Sequence, residues 1–200
     1  MRRNEFCIEN HEAMMEFLHS CEYGVLSLLD TRKKPYGVPL NFAWWKEGII
    51  FHGALEGKKK ESLLYNSAAS FTVVKPYSLI PSYFSHTTSA CPATHFFGSV
   101  ILEGNVEILE IMDDKADALN ALMQKLQPEG QYEPISASNP IYTKMLHSTA
   151  LFYMKVAHSS FKLKMGQNLN EARKQELILE LEKRNTLLDK ETIRLMKDYM

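Results

Sequence analysis

Apolar residues first recur at helical spacing. Within Asn10–His19, Met14, Phe17 and Leu18 fall on one face, and Asn10 is placed to cap it. Strand signals follow in close succession. Tyr23–Asp30, "YGVLSLLD", is one strand, "TRKK" a polar turn, Pro35–Trp45 a second strand, "KEG" a tight turn, and "IIFHGA" a third. Loops this short predict an antiparallel meander. Pro35 and Pro39 lie in the second strand, so it is expected at a sheet edge or bulged at Pro39. That leaves backbone around Val38–Asn41 free to bond something other than a strand.

Gly57–Asn66 reads as a short helix with Leu63 and Leu64 inward. Ser67–Lys75 is a fourth strand, and Pro76–Ala93 a long polar-aromatic loop with three prolines, the kind that is functional or mobile. Thr94–Glu110 is a fifth strand with bends at Gly98 and Gly104. Asp113 is expected to cap an amphipathic helix with Ala116, Leu119, Leu122, Met123 and Leu126 inward. A second loop spans Gln127–Pro140, and Ala150–Lys164 completes the strands. Six antiparallel strands with short connecting helices and no βαβ rhythm predict a mainly β (α+β) barrel, closed or nearly so. From about Asn170 the chain turns rich in Glu, Lys and Leu. Ala172, Leu177, Leu181, Leu188, Leu195 and Tyr199 predict one or two helices, broken near Asn185–Asp189 with Asp189 capping the second. The chain therefore divides into a barrel domain, 1–168, and a helical extension, 169–200. The extension packs on its own barrel or embraces a second subunit.

Composition narrows the partners. The 200 residues suit one domain, 45% hydrophobic and 24% charged, with net charge −1. Such a balance gives no bulk attraction to nucleic acid or an anionic membrane, so any anion site must be local. No apolar run is long enough to span a bilayer. The first residues lack the apolar stretch of a signal peptide, which predicts a cytoplasmic protein. Cys7, Cys21 and Cys91 form no CxxC pair, and Cys91 with His95 lacks further ligands, so no metal site is expected.

The unusual feature is "FHGALEGKKKESL", Phe51–Leu63. Three consecutive lysines, Lys58 to Lys60, stand at the start of a helix, where the dipole is already positive. A solvated basic turn offset by Glu56 and Glu61 is one explanation. A bound phosphate is the other, with ammonium charges and helix N–H groups as its partners.

Three blocks decide between them: Tyr23–Ser27 with Pro35–Asn41, Phe51–Lys59, and Ser99–Gly104. Together they resemble the FMN-binding split-barrel flavoproteins related to pyridoxamine 5′-phosphate oxidase, and within them the nitroimidazole-resistance (Nim-type) group. The resemblance covers roughly residues 1–164. It implies a homodimer with FMN at the subunit interface. Val38, Pro39, Leu40 and Asn41 would run along the isoalloxazine edge. Phe51, His52, Gly53 and Ala54 would line the ring and ribityl chain. Lys58 and Lys59 would hold the phosphate, with Lys58 where the family usually has His. Ser99 would bond the cofactor from a later strand, and Lys164, Gln167 and Asn168 would reach the flavin or the partner subunit. His52 is the candidate proton donor. Trp44 and Trp45 take opposite faces of their strand. Tyr77, Tyr83, Phe84 and His86 form a lid or an interface loop.

The implied activity is an FMN-dependent reduction of a small aromatic acceptor, such as a nitro compound, with NAD(P)H as a transient donor. No GxGxxG fingerprint provides a standing nucleotide site. The alternative is a haem-binding, haem-degrading or flavin-dependent regulatory protein on the same barrel, with His86, His95, His147 or His158 as axial ligands. Pyridoxamine-phosphate oxidation is disfavoured, because no arginine lies between Arg32 and Arg173 to form that enzyme's substrate signature.

Overall fold

The structure is a computed structural model that describes residues 3–85 and 87–198. Among these there are eight strands and six α-helices. The strands are β1 (Cys7–Ile8), β2 (Tyr23–Leu29), β3 (Pro35–Asn41), β4 (Ala43–Trp45), β5 (Gly48–Gly53), β6 (Ala68–Ile80), β7 (Thr94–Leu109) and β8 (Ala150–Lys164). The helices are α1 (His11–His19), α2 (Lys58–Tyr65), α3 (Met112–Leu126), α4 (Pro140–Ser148), α5 (Glu171–Arg184) and α6 (Leu187–Asp198). One sheet runs β3-β2-β6-β7-β8-β5-β4, with β1 added on β8.

The expected second strand is two strands. It breaks at Phe42, which is fully buried. β3 and β4 lie at opposite ends of the sheet path although one residue separates them. A sheet whose two ends are joined by one residue must curl, and the split-barrel expectation holds in this form. β3 is an edge strand, as its prolines require, and its register with β2 is unbroken through Val25↔Pro39, so there is no bulge.

Other boundaries differ from expectation. β6 continues through Pro76 to Ile80, because the β2 ladder covers only Ser70–Thr72 and Pro76 lies beyond it. Of the two α2 leucines, Leu63 is buried and Leu64 is exposed. Asp113 sits inside the first turn of α3, whose N-cap is Ile111. Helix α4 was not expected. Asn139 caps it, accepting from the Ile141 N–H at 3.0 Å, with Pro140 at the first helical position. Asp189 is not the cap of α6 either. Thr186 and Asp189 bond each other's backbone N–H at 3.1 and 3.0 Å, a reciprocal capping box.

Contacts divide the chain into two compact units, one of Glu12–Val73 with Ile101–Ser159, the other of Met1–His11, Val74–Val100 and Ser160–Met200. The core of the larger unit packs α3 on β4, β5 and β8 through Leu119, Leu122, Trp45, Ile50 and Leu151. Each such side chain contributes about 1.5–3 kcal/mol by leaving water. Trp45 anchors the contact, its Nε1–H donating to Asp117 at 2.8 Å, while Trp44 is half-buried on the other face. Beside this core Phe42, Phe71, Phe51 and Phe152 form a row with centroids 5.0–6.2 Å apart, the last three stacked and Phe42 tilted against Phe71. In the smaller unit β1 pairs with β8 at Cys7↔Lys162. There α6 meets β6 through a buried polar cluster: Asp189 takes two bonds from Arg184 and one, at 2.6 Å, from Ser78. The C-terminal helices thus pack on their own chain. Tyr199 lies outside the described residues.

Candidate functional site

In the larger unit the lysine run opens α2, as its spacing predicts. Gly57 at the N-cap has φ +117°, a backbone region that glycine adopts without strain. Among the described residues no side chain caps the helix. Its first N–H groups are therefore left for solvent or an anion.

The three lysines take different paths. Lys58 reaches the Asp30 carboxylate at 3.3 Å and lies 4.3 Å from the Tyr36 ring centre. Lys59 folds back on β5 and donates to the His52 carbonyl at 2.9 Å. Its ammonium stands 4.8 Å and 5.5 Å from the ring centres of Phe152 and Phe51. Among the described residues no carboxylate pairs with it. Burial lowers its pKa below the lysine value. Lys60 is half-buried.

Gly53 makes this fold-back possible. A Cβ there would stand 2.4 Å from the Lys59 Nζ. The close approach that small residues allow in "HGA" is thus made by the lysine. His52 pairs with Leu151 across β5 and β8, and its side chain stays accessible. The surrounding protein, and then the Lys59 charge, lower its pKa. The imidazole is neutral at neutral pH.

Asp30 is a partner of Lys58 that sequence reading missed. It is nearly fully buried and accepts from the backbone N–H groups of Arg32 and Lys34, both at 2.9 Å. The Lys34 bond first, then the Arg32 bond and Lys58, bring its pKa down to about 2. A carboxylate opening a polar turn was the available signal.

The remaining candidates spread over both units. Val38 and Leu40 are half-buried on β3 and Pro39 is exposed, while Asn41 spends its amide on the Glu22 carbonyl at 3.1 Å. Phe51 is fully buried and Ala54 exposed. In the smaller unit, Ser99 is half-buried on β7. Gln167 folds into its own turn, accepting from Met165 N–H and donating to the Leu163 carbonyl, both at 2.7 Å. Lys164 and Asn168 line a cavity of about 320 Å³. His95 donates to the Tyr77 carbonyl at 3.0 Å, and His147 and His158 are exposed. Tyr77 and Phe84 are buried and Tyr83 is exposed, whereas His86 lies outside the described residues. No group of three or more potential metal ligands occurs among the described residues, and no helix among them is long and apolar enough to cross a membrane.

A family model described as pyridoxamine 5′-phosphate oxidase matches residues 10–163. The chain belongs to the pyridoxamine 5′-phosphate oxidase family. Solved structures agree with this membership at the level of fold. A candidate 5-nitroimidazole antibiotic resistance protein from Bacteroides thetaiotaomicron is 23% identical, with TM-score 0.64 over 78% of this chain and 85% of that one. An FAD and haem binding protein from Mycobacterium smegmatis is 19% identical, with TM-score 0.67 over 79% and 73%. A flavocytochrome from Azotobacter vinelandii is 21% identical, with TM-score 0.70 over 88% and 77%. A search of curated proteins finds no match. As a member of the oxidase family, this chain keeps the split barrel while lacking arginine between Arg32 and Arg173.

Proposed function

We propose that this protein binds FMN and uses it to reduce a small aromatic acceptor. The observation that carries this reading is Lys59, a half-buried cation with no carboxylate partner, beside a helix start with no side-chain cap. Those residues fit a phosphate. Lys59 and the free N–H groups of α2 would hold it, and Lys58 would add charge while tethered to Asp30. When bound, the flavin supplies hydride and electron transfer between a donor such as NAD(P)H and the acceptor, plausible substrates being nitro-aromatics.

The chain's own residues then have separate tasks. The edge backbone of Val38–Asn41 offers bonds to a planar ring, since β3 has a strand on one side only. His52, neutral and accessible, can hold or release a proton at its ring. We further propose a homodimer. Tyr23, Val25 and Leu29 alternate outward on β2 with 58%, 41% and 40% of their surface exposed. An apolar row of that kind on a sheet face suits a partner. The test is turnover by the FMN-loaded protein with NAD(P)H and a nitro-aromatic acceptor. Reduction of the acceptor that depends on added FMN supports the reading, and a flavin-independent background rate overturns it. A Soret band with haem in place of flavin would instead favour the haem alternative.

A further inference from the structure

The cavity of about 320 Å³ in the smaller unit is lined by fourteen residues, of which the flavin resemblance implied Lys164 and Asn168. Three cations line it: Arg3, Lys164 and Arg173. Among the described residues no carboxylate lines it. Arg173 is held in place by the Phe84 carbonyl at 2.9 Å and the Ser85 hydroxyl at 2.6 Å, with Glu176 offsetting it from the flank at 2.8 Å. Lys164 donates only to a neutral group, the Thr94 hydroxyl. Neither Lys164 nor Arg3 has an ion pair among the described residues. Burial first, and then the charges of Lys162 and Arg3, lower the Lys164 pKa.

The floor is apolar. Ile80, Phe96 and Leu177 are each at most 2% exposed. Gly166, at φ +83°, lets the turn after β8 lie against that floor, where a Cβ would meet Phe96 at 3.3 Å. Volume and lining match the lower end of small-molecule sites, which combine an apolar body with a few placed charges. Along β7 the buried side chains are Phe96, Val100, Leu102 and Val106, and Ser99 points to the other face. The cavity is therefore distinct from the face that Ser99 offers to a flavin, and the inference stands without the flavin reading.

We infer that this cavity is a second binding site, for a small organic oxyanion: a phosphate or carboxylate head facing Arg3 and Lys164, carried on a single-ring or short aliphatic body that rests on the half-buried Leu169 and Pro92. Cys91 lines the same cavity and is an exposed free thiol, which makes it a local reporter.

The experiment follows alkylation of Cys91 by iodoacetamide in the full chain without added flavin, read peptide by peptide by mass spectrometry. Cys7 and the buried Cys21 serve as internal references. Phenyl phosphate or benzoate slows Cys91 selectively, and benzyl alcohol, with the same ring and no charge, does not. Arg3→Met and Lys164→Met each weaken that protection about tenfold, the loss of one charge-assisted bond. Arg3 is exposed, so its variant folds even where the Lys164 variant fails. Failure of both anions to protect Cys91, or full protection in Arg3→Met, overturns the site. Inorganic phosphate binding as tightly as phenyl phosphate overturns the apolar half of the assignment.

Discussion

Replacing Lys59 by Met separates a cofactor ligand from a structural cation. The lysine makes one bond to a neutral carbonyl and lies over two aromatic rings. Those contacts contribute about 0.5–1.5 kcal/mol for the bond and about 0.5–2 for the ring interaction. Against them stands the cost of holding a charge out of water, which is why burial lowers its pKa. Methionine keeps the apolar stem on Phe51 and Phe152 and removes the charge. The terms nearly cancel, and the variant should unfold within about 1 kcal/mol of the parent in urea. Flavin binding has no such cancellation. A charge-assisted bond to phosphate is worth about 1.5–3 kcal/mol, or roughly 10- to 150-fold in Kd. Titration by quenching of flavin fluorescence measures that change. An unchanged Kd, or a stability loss as large as the binding loss, would refute the reasoning.

Two further outcomes follow from carboxylates. Asp189→Ala leaves Arg184 and Ser78 without their buried partner, and should cost about 3–5 kcal/mol in a denaturant titration; a loss under about 1 kcal/mol would show that α6 does not depend on this cluster. Asp30 has a lowered folded-state pKa, so its contribution is present above the unfolded value and is lost as pH falls through the folded one. Stability should therefore decline between about pH 4 and pH 2, and Asp30→Asn should flatten that part of the profile. An identical acid limb in the variant would contradict this.

The fold was legible where local pattern and final environment agree. Pro35 and Pro39 marked an edge strand because proline cannot complete a two-sided ladder. The adjacent tryptophans took opposite faces as strand geometry demands. The break at Phe42 was hidden because an apolar residue continues a strand pattern. Only the separate partners of β3 and β4 reveal it. Pro76 suggested a loop, since its tolerance depends on how far the β2 ladder extends. At the candidate site the lysine run was visible, but not the fate of each amine. Asp30 captures Lys58 from a turn 28 positions earlier, and Gly53 draws Lys59 onto β5. Gln167 looked available for a ligand until its own turn claimed both ends of the amide. Arg3 and Arg173 carried no sequence signal, because they meet Lys164 only through the path of the chain.

The central claim is that the start of α2 recognises a phosphate. Its most direct measurement compares the affinities of FMN and riboflavin, which share the ring and ribityl chain and differ in that group alone. FMN should bind at least about tenfold tighter, and Lys59→Met should remove most of the difference. Equal affinity for the two flavins would contradict it.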